Sequence, residues 1–346
     1  MLNTQILCRE ISHCPVCNSA GKTLYTNLKD TLFDAPGTWN ISKCSDRKCG
    51  TCWLNPTPLP EEIVKLYNTY STHSTPHRPV GTKKSFFHSL LEMIRKTIYE
   101  EYGYENNIPG YLKPLLKMVS HLHPGWRNSQ LNQILYAPFV KNGVLLDVGC
   151  GNGNAMVRFK ERGWKVIGTD FDPQAVSEAR DQGLDVHLGD LKEIAFPENT
   201  FDLVFLSHVI EHVPFPIDAL AEYYRILKPG GYLIAITPNA NSVSHKKFKH
   251  HWRGLEVPRH LQIFTPSSLA NAALQAGFTK VRGKTCLQGI HYLWDASKAH
   301  VETGNFDIPA PTKIKRLMDR VSLYTAGIRF AFAPGQEETI LLQCQK

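Results

Sequence analysis

Short apolar runs punctuate the second half of the chain. Val144 to Val148, Trp164 to Gly168, Leu184 to Leu188, Phe201 to Leu206 and Tyr232 to Ile236 are each too brief for a helix and are bounded by Gly, Asp or Pro. Runs of this length read as strands buried on both faces, as in a parallel sheet. Helical segments separate them. Asp172-Pro173 pairs an N-cap with a proline at N1 for a helix that closes at Gly183. Ala219 to Leu227 runs into Lys228-Pro229-Gly230-Gly231, a helix-ending text, and Thr265-Pro266 opens a helix over Ser267 to Gly277. Strands alternating with helices give an α/β domain. Two further strands, Phe278 to Gly283 and Thr339 to Cys344, close it, separated by an insertion over 287–336 whose Lys313 to Ala326 part has helical amphipathic spacing.

Upstream the pattern changes. Pro56, Pro58, Pro60, Pro76 and Pro79 punctuate a linker with a short helix from Glu61 to Tyr70. Phe86, Leu90, Ile94 and Ile98 recur at helical spacing within Ser85 to Tyr102. Helices are also expected over Tyr111 to His121 and Asn128 to Val140, making a helical cap before the first strand.

The first strand of the α/β region breaks into Gly149, Gly151 and Gly153. A dinucleotide fingerprint would place its third glycine at Asn154, so a pyrophosphate-binding loop is disfavoured. The second run ends at Thr169-Asp170-Phe171-Asp172 and the third at Gly189-Asp190-Leu191, which puts acidic residues at the carboxyl ends of neighbouring strands, where open α/β sheets bind ligands. Asp190 reads equally as a plain strand-end residue in a solvated turn.

These residues, with "FDLV" at Phe201, "EHV" at Glu211, "ILKPGGYL" at Ile226 and "TPN" at Thr237, resemble class I S-adenosylmethionine-dependent methyltransferases. The resemblance implies a Rossmann-like, seven-stranded, doubly wound sheet. It implies cofactor contacts from Asp147, Gly149, Cys150, Gly151, Gly153, Asp170 and Phe171, with Asp170 at the ribose. Asp190 and Leu191 would lie at the adenine and Ser207 at the end of the fourth strand. His208 and His260 are the candidate bases, since imidazole can take an acceptor proton near neutral pH. His212 is assigned a structural role. Tyr67 and Tyr70 are candidates for closing over the cofactor, although aromatic packing explains them as well.

Nine cysteines include six before position 53: Cys8, Cys14, Cys17, Cys44, Cys49 and Cys52. Clustering of this kind points to a metal or to buried reduced thiols rather than to disulfides. Cys14-Pro15-Val16-Cys17 is one knuckle, and the text after Cys49-Gly50 resembles the "CG…LNP" ending of zinc ribbons fused in front of sugar-modifying methyltransferases. That resemblance implies structural zinc on Cys14, Cys17, Cys44 and Cys49. The spacing from Cys44 to Cys49 is two residues longer than C-x-x-C, so Cys52 stands as the alternative.

Ser244 to Leu261 is dense in cations and aromatics. It reads as a lid over the acceptor pocket (residues 244–264), with a nucleic-acid patch or a solvated basic loop as alternatives. The charge excess is mild, 39 Lys and Arg against 31 Asp and Glu, and falls short of a nucleic-acid signature. Neither a signal peptide nor a membrane span is read from the sequence, which favours a cytoplasmic protein.

The expected organisation is a zinc-ribbon-like module (1–60), a linker and helical cap (61–140) and a methyltransferase domain (141–346), with a homodimer possible through the insertion. The resemblance implies transfer of a methyl group from S-adenosylmethionine to a small-molecule acceptor, first a hydroxyl of a sugar or glycosylated metabolite. A phenol, acid or quinone acceptor is the alternative. An RNA methyltransferase and a non-catalytic cofactor-binding module are the readings from other classes.

Overall fold

The computed structural model describes residues 6–67, 86–308 and 335–346, together with positions 310, 312, 315, 318 and 319. Tyr70 and the expected helix from Lys313 to Ala326 therefore lie largely or wholly outside the described residues. The chain divides into two compact units, one of residues 1–72, 206–310 and 335–346 and the other of residues 73–205 and 311–334.

The first unit begins with β1 (Cys8–Arg9), β2 (Gly21–Leu28), β3 (Trp39–Cys44), β4 (Cys52–Leu54) and β5 (Thr57–Pro58), followed by a 3-10 turn at Pro60–Tyr67. β2 and β3 form the ribbon expected between Cys17 and Cys44, pairing antiparallel with Gly21 opposite Cys44. At Gly21 a Cβ would fall 2.5 Å from the Trp53 ring, so only glycine lets that indole close the sheet.

The second unit supplies α1 (Phe86–Glu100), α2 (Lys113–His121) and α3 (Pro124–Gln133), then β6 (Val144–Val148), α4 (Asn154–Lys160), β7 (Lys165–Asp170), α5 (Pro173–Asp181), β8 (Asp185–Leu188) and α6 (Leu191–Ile194). Ile94, Ile98, Ile108 and Leu116 form the core of the helical cap. α3 starts four residues before the expected Asn128. The Nδ1 of His123 accepts from the Trp126 amide and Pro124 occupies the first turn, a start signal the apolar spacing conceals. It also ends early, because Leu135 and Tyr136 turn to φ of 52° and 56°.

β9 (Phe201–Ser207) leads back into the first unit, followed by α7 (Pro216–Ile226), β10 (Leu227–Pro238), α8 (Val243–Phe248), β11 (Gln262–Ile263), α9 (Pro266–Gln275), β12 (Lys280–Cys286), α10 (Ile290–Thr303) and β13 (Thr339–Gln345). The seven-stranded sheet has the order β12-β13-β10-β9-β6-β7-β8. β13 runs antiparallel to both β10 and β12. β6, β7 and β8 pair in parallel. This is the seven-stranded, Rossmann-like order expected from the sequence.

Three local expectations need correction. Lys228 to Gly231 do not cap a helix but open β10, with Gly230 at φ 79°. The insertion after Leu287 carries an unforeseen helix, α10, bracketed by left-handed glycines at 289 and 304. The basic stretch after β10, expected as a lid over the acceptor pocket, is largely buried. Trp252 is fully buried and Arg259 and His260 nearly so, and Gln262 and Ile263 pair with Trp53 and Cys52 of β4. Trp39, Ile41, Cys52, Leu54, Phe248, Trp252 and Leu261 share one apolar cluster. Burial of that cluster holds the stretch against the ribbon. Among the described residues no helix is long and apolar enough to cross a membrane.

Candidate active site and metal centre

The glycine turn after β6 takes left-handed φ at all three glycines, 64° at Gly149, 52° at Gly151 and 83° at Gly153. Each glycine does something different. A Cβ at Gly153 would lie 2.2 Å from the Leu184 side chain, so that position lets α4 pack closely, whereas a Cβ at Gly151 would meet nothing within 4 Å. The turn thus offers bare backbone beside open space, which is what a closely bound ligand requires.

Asp170, at the end of β7, organises this turn. Its Oδ2 accepts the Gly151 amide at 2.7 Å and its Oδ1 the Asp172 amide at 2.9 Å. Burial raises its pKa, against the pull of these two backbone donors. Each carboxylate oxygen has a second lone pair, so the group can still accept from a ribose diol. On the adjacent strand, Gly189 donates its amide to the Asp170 carbonyl at 3.0 Å, which brings Asp190 to the same sheet edge. Asp190 has a second duty: its Oδ1 caps α6 through the Glu193 amide at 2.8 Å, and Glu193 returns a bond to the Asp190 amide. Phe171 is half-exposed and Leu191 buried beside these strand ends.

Asp147 is the strongest polar anomaly in this unit. It is 2% exposed, and its Oδ2 has no hydrogen-bond partner. Burial, then the charge of Asp170, pushes its pKa up to about 8. A buried carboxyl with an orphaned oxygen is costly unless a ligand or water supplies the donor. The ammonium of an amino-acid ligand has the matching chemistry. Cys150 is buried below the turn, and a Cβ at Gly168 would meet its sulfur at 2.8 Å and the Met156 sulfur at 2.6 Å. Cys150 therefore packs α4 on β7, in addition to any role of its backbone.

In the other unit, His208 follows Ser207 at the end of β9 with φ 58°, an uncommon conformation for a side chain-bearing residue. Its Nδ1 lies 3.1 Å from Oε1 of Glu211, while its side chain stays 42% exposed. Loss of part of its hydration works against the charged ring, but the Glu211 carboxylate outweighs it and raises the His208 pKa. Glu211 itself is fully buried, and its Oε2 accepts from Thr237 at 2.9 Å. Burial would raise the Glu211 pKa, yet the bond to His208 and the surrounding imidazoles hold it at about 2.

His260, the second candidate base, belongs to the same cluster and does not line an open surface. It is 4% exposed, and burial lowers its pKa to about 4. Its ring packs edge-on against His212 at 4.8 Å between centroids. Tyr67 meets His212 as well, its hydroxyl 3.1 Å from Nδ1, so this tyrosine makes a defined contact within its own unit. Sequence reasoning missed Glu256, which accepts from Arg253, and the fully buried pair of Arg259 with Asp30 at 2.8 Å. No local pattern links positions 229 residues apart. The "EH" dipeptide at Glu211 was the available signal for this cluster.

The four chosen cysteines come together. One sulfur from each of Cys14, Cys17, Cys44 and Cys49 lies within 4.8 Å of all the others. Cys14 and Cys49 approach at 3.6 Å and Cys17 and Cys44 at 3.4 Å. These spacings are close to the edges of a tetrahedral zinc–sulfur site with bonds of about 2.3 Å. Cys52 points instead into the apolar cluster, where burial raises its pKa to about 12. Both knuckles are anchored on α9: Thr265 donates to the Cys49 carbonyl, Ser267 to that of Lys48 and Gln275 to that of Val16.

Comparison with known proteins fits this picture. Residues 125–282 match the family model described as a methyltransferase domain. A malonyl-[acyl-carrier protein] O-methyltransferase of Serratia marcescens is 32% identical over 134 residues, 38% of this chain and 52% of that protein. A demethylmenaquinone methyltransferase of Oceanobacillus iheyensis is 29% identical over 167 residues, 45% of this chain and 63% of that protein. The chain thus spans about half to two thirds of the length of these relatives. Among solved structures, phosphoethanolamine N-methyltransferase 2 of Haemonchus contortus, in complex with S-adenosyl-L-methionine, aligns with 15% identity and a TM-score of 0.46. The alignment covers 90% of this chain and 70% of that one.

Proposed function

We propose that the protein transfers a methyl group from S-adenosylmethionine to an oxygen of a small-molecule acceptor, and that a hydroxyl of a sugar or glycosylated metabolite is the first candidate. The observation that carries the cofactor assignment is the pairing of the bare Gly151 turn with the orphaned, buried carboxyl of Asp147. The cofactor supplies an already activated methyl group on its sulfonium. Gly149, Gly151 and Gly153 shape the turn that receives it. Asp170 accepts the ribose hydroxyls, Asp147 meets the ammonium, and Asp190 with Leu191 borders the adenine.

His208 handles the acceptor proton. A carboxylate oxygen can only accept, so Nδ1 carries the proton in the bond to Glu211 and Nε2 keeps its lone pair for an acceptor hydroxyl. Glu211 holds the ring and stabilises the imidazolium that proton uptake creates. A base of this kind serves a hydroxyl or an acidic carbon equally. The sugar assignment rests on the ribbon's resemblance to those fused to sugar-modifying methyltransferases. The names of the relatives support the second reading, an acid or quinone acceptor.

The cysteine cluster holds structural zinc: four sulfurs close the coordination shell and leave no position for a substrate. The function is tested by incubating the protein with methyl-labelled S-adenosylmethionine and metabolite extracts and identifying the labelled product. Label recovered on a glycosyl oxygen supports the first reading, label on a carboxyl or quinone the second, and no labelled small molecule would refute both.

A further inference from the structure

We propose that Glu211, His212 and His260 bind a divalent transition-metal ion at a site of their own, separate from the four cysteines. One ligand atom from each of the three lies within 4.8 Å of the other two. Their hydrogen bonds leave Nε2 as the ring nitrogen with a lone pair to offer. The Nδ1 of His212 lies 3.0 Å from the carbonyl of Arg259, and the Nδ1 of His260 lies 2.8 Å from the carbonyl of Gly254. A carbonyl only accepts, so each Nδ1 carries the ring proton, shared at His212 with the Tyr67 hydroxyl as a second acceptor, and each Nε2 is left with a lone pair. Metal-binding imidazoles are oriented in this way, with the remote nitrogen donating to a backbone carbonyl or carboxylate.

The third ligand is prepared as well. Glu211 is wholly buried, yet each of its oxygens receives a single hydrogen bond, one from His208 and one from Thr237. A second lone pair remains on each oxygen. The Nε2 of His260 also lies 3.6 Å from Oε2 of Glu256. Lone pairs from two imidazoles and a buried carboxylate thus converge, with a second carboxylate beside them. The guanidinium groups in this cluster are engaged at its edge, Arg253 with Glu256, and Arg259 with Asp30 and Glu256. Lone pairs that converge in a poorly screened interior repel one another, and a divalent ion among them relieves that repulsion.

The donor set specifies the ion. Two nitrogens and a carboxylate suit zinc, iron, cobalt or manganese in the divalent state, in contrast to the all-sulfur cluster. Three protein ligands also leave positions open for water or an oxygen donor, whereas the cysteine site is closed. The metal site does not depend on the methyl-transfer reading.

The test titrates cobalt(II) into full-length protein preloaded with a single equivalent of zinc. We expect one further equivalent to bind with weak visible d–d absorption and without the near-ultraviolet sulfur-to-cobalt band that thiolates produce. His212→Gln and Glu211→Gln should each weaken binding by roughly tenfold or more, with circular dichroism confirming the fold. Cobalt that fails to saturate a site in the wild type, that shows only a thiolate spectrum, or that binds both folded variants as well as the wild type would overturn the proposal. Because this readout needs neither S-adenosylmethionine nor an acceptor, its failure is distinguishable from failure of the methyl-transfer reading.

Discussion

Oδ2 of Asp170 accepts the backbone amide of Gly151 across 2.7 Å, so the acidic end of β7 holds the glycine turn in its left-handed course. One carboxylate thereby sets the shape of the cradle and is also positioned to accept from its ligand.

Gly151→Val should abolish cofactor binding while leaving the domain folded. The position has φ 52°, which valine resists, and its missing side chain faces open space that a ligand would fill. Calorimetry with circular dichroism as the folding control checks this. A folded variant with wild-type affinity would contradict the loop assignment.

Gly153→Ala should act on stability instead. Its new methyl would start 2.2 Å from Leu184 at a φ of 83°, so we expect destabilisation of about 1–3 kcal/mol in urea unfolding. The contrast between these neighbouring glycines separates a packing role from a binding role.

Asp147 makes both stability and binding depend on pH. Its folded pKa of about 8 lies above its ordinary value of 3.8, so between those values the folded protein holds a proton that the unfolded chain has released. Stability contributed by the neutral carboxyl is therefore lost as pH rises across that window. Asp147→Asn should flatten this slope when unfolding midpoints at about pH 5 and about pH 8 are compared. A cofactor ammonium favours the ionised carboxyl, so binding should release protons. Calorimetry in buffers of different ionisation enthalpy would show this, and the variant should lose it.

Zinc should be present at one equivalent or more and should fall by one equivalent in Cys14→Ser and Cys17→Ser. Cys52→Ala should keep its zinc and lose about 1 kcal/mol of stability from the core. Elemental analysis of the purified variants decides between Cys44 and Cys52 as fourth ligand. Loss of zinc from the Cys52 variant would contradict the geometry.

The parts of the fold that could be read in the chain are those with local causes. Asp172 and Thr265 cap their helices as their neighbouring prolines suggest, and β6 to β10 follow their apolar runs. The acidic strand ends were legible in residue type and position, whereas the choice of Cys44 over Cys52 came from the resemblance to zinc ribbons, since the spacing from Cys44 to Cys49 departs from C-x-x-C. Long-range pairing was not. The two residues of β11 that join β4 are too few to show periodicity, so nothing in the stretch read as a lid announced that Trp252 and its neighbours pack into the apolar cluster. The Glu211 cluster stayed hidden because its histidines are 48 positions apart and meet only after that stretch folds inward.

The most direct measurement is calorimetric titration of S-adenosylmethionine into the wild type and Asp170→Ala. We expect one saturable site in the wild type and an affinity loss of roughly 1–3 kcal/mol in the variant, from lost charged hydrogen bonds. A wild type that does not bind, or a variant that binds equally well, would contradict the assignment of this cradle to the cofactor.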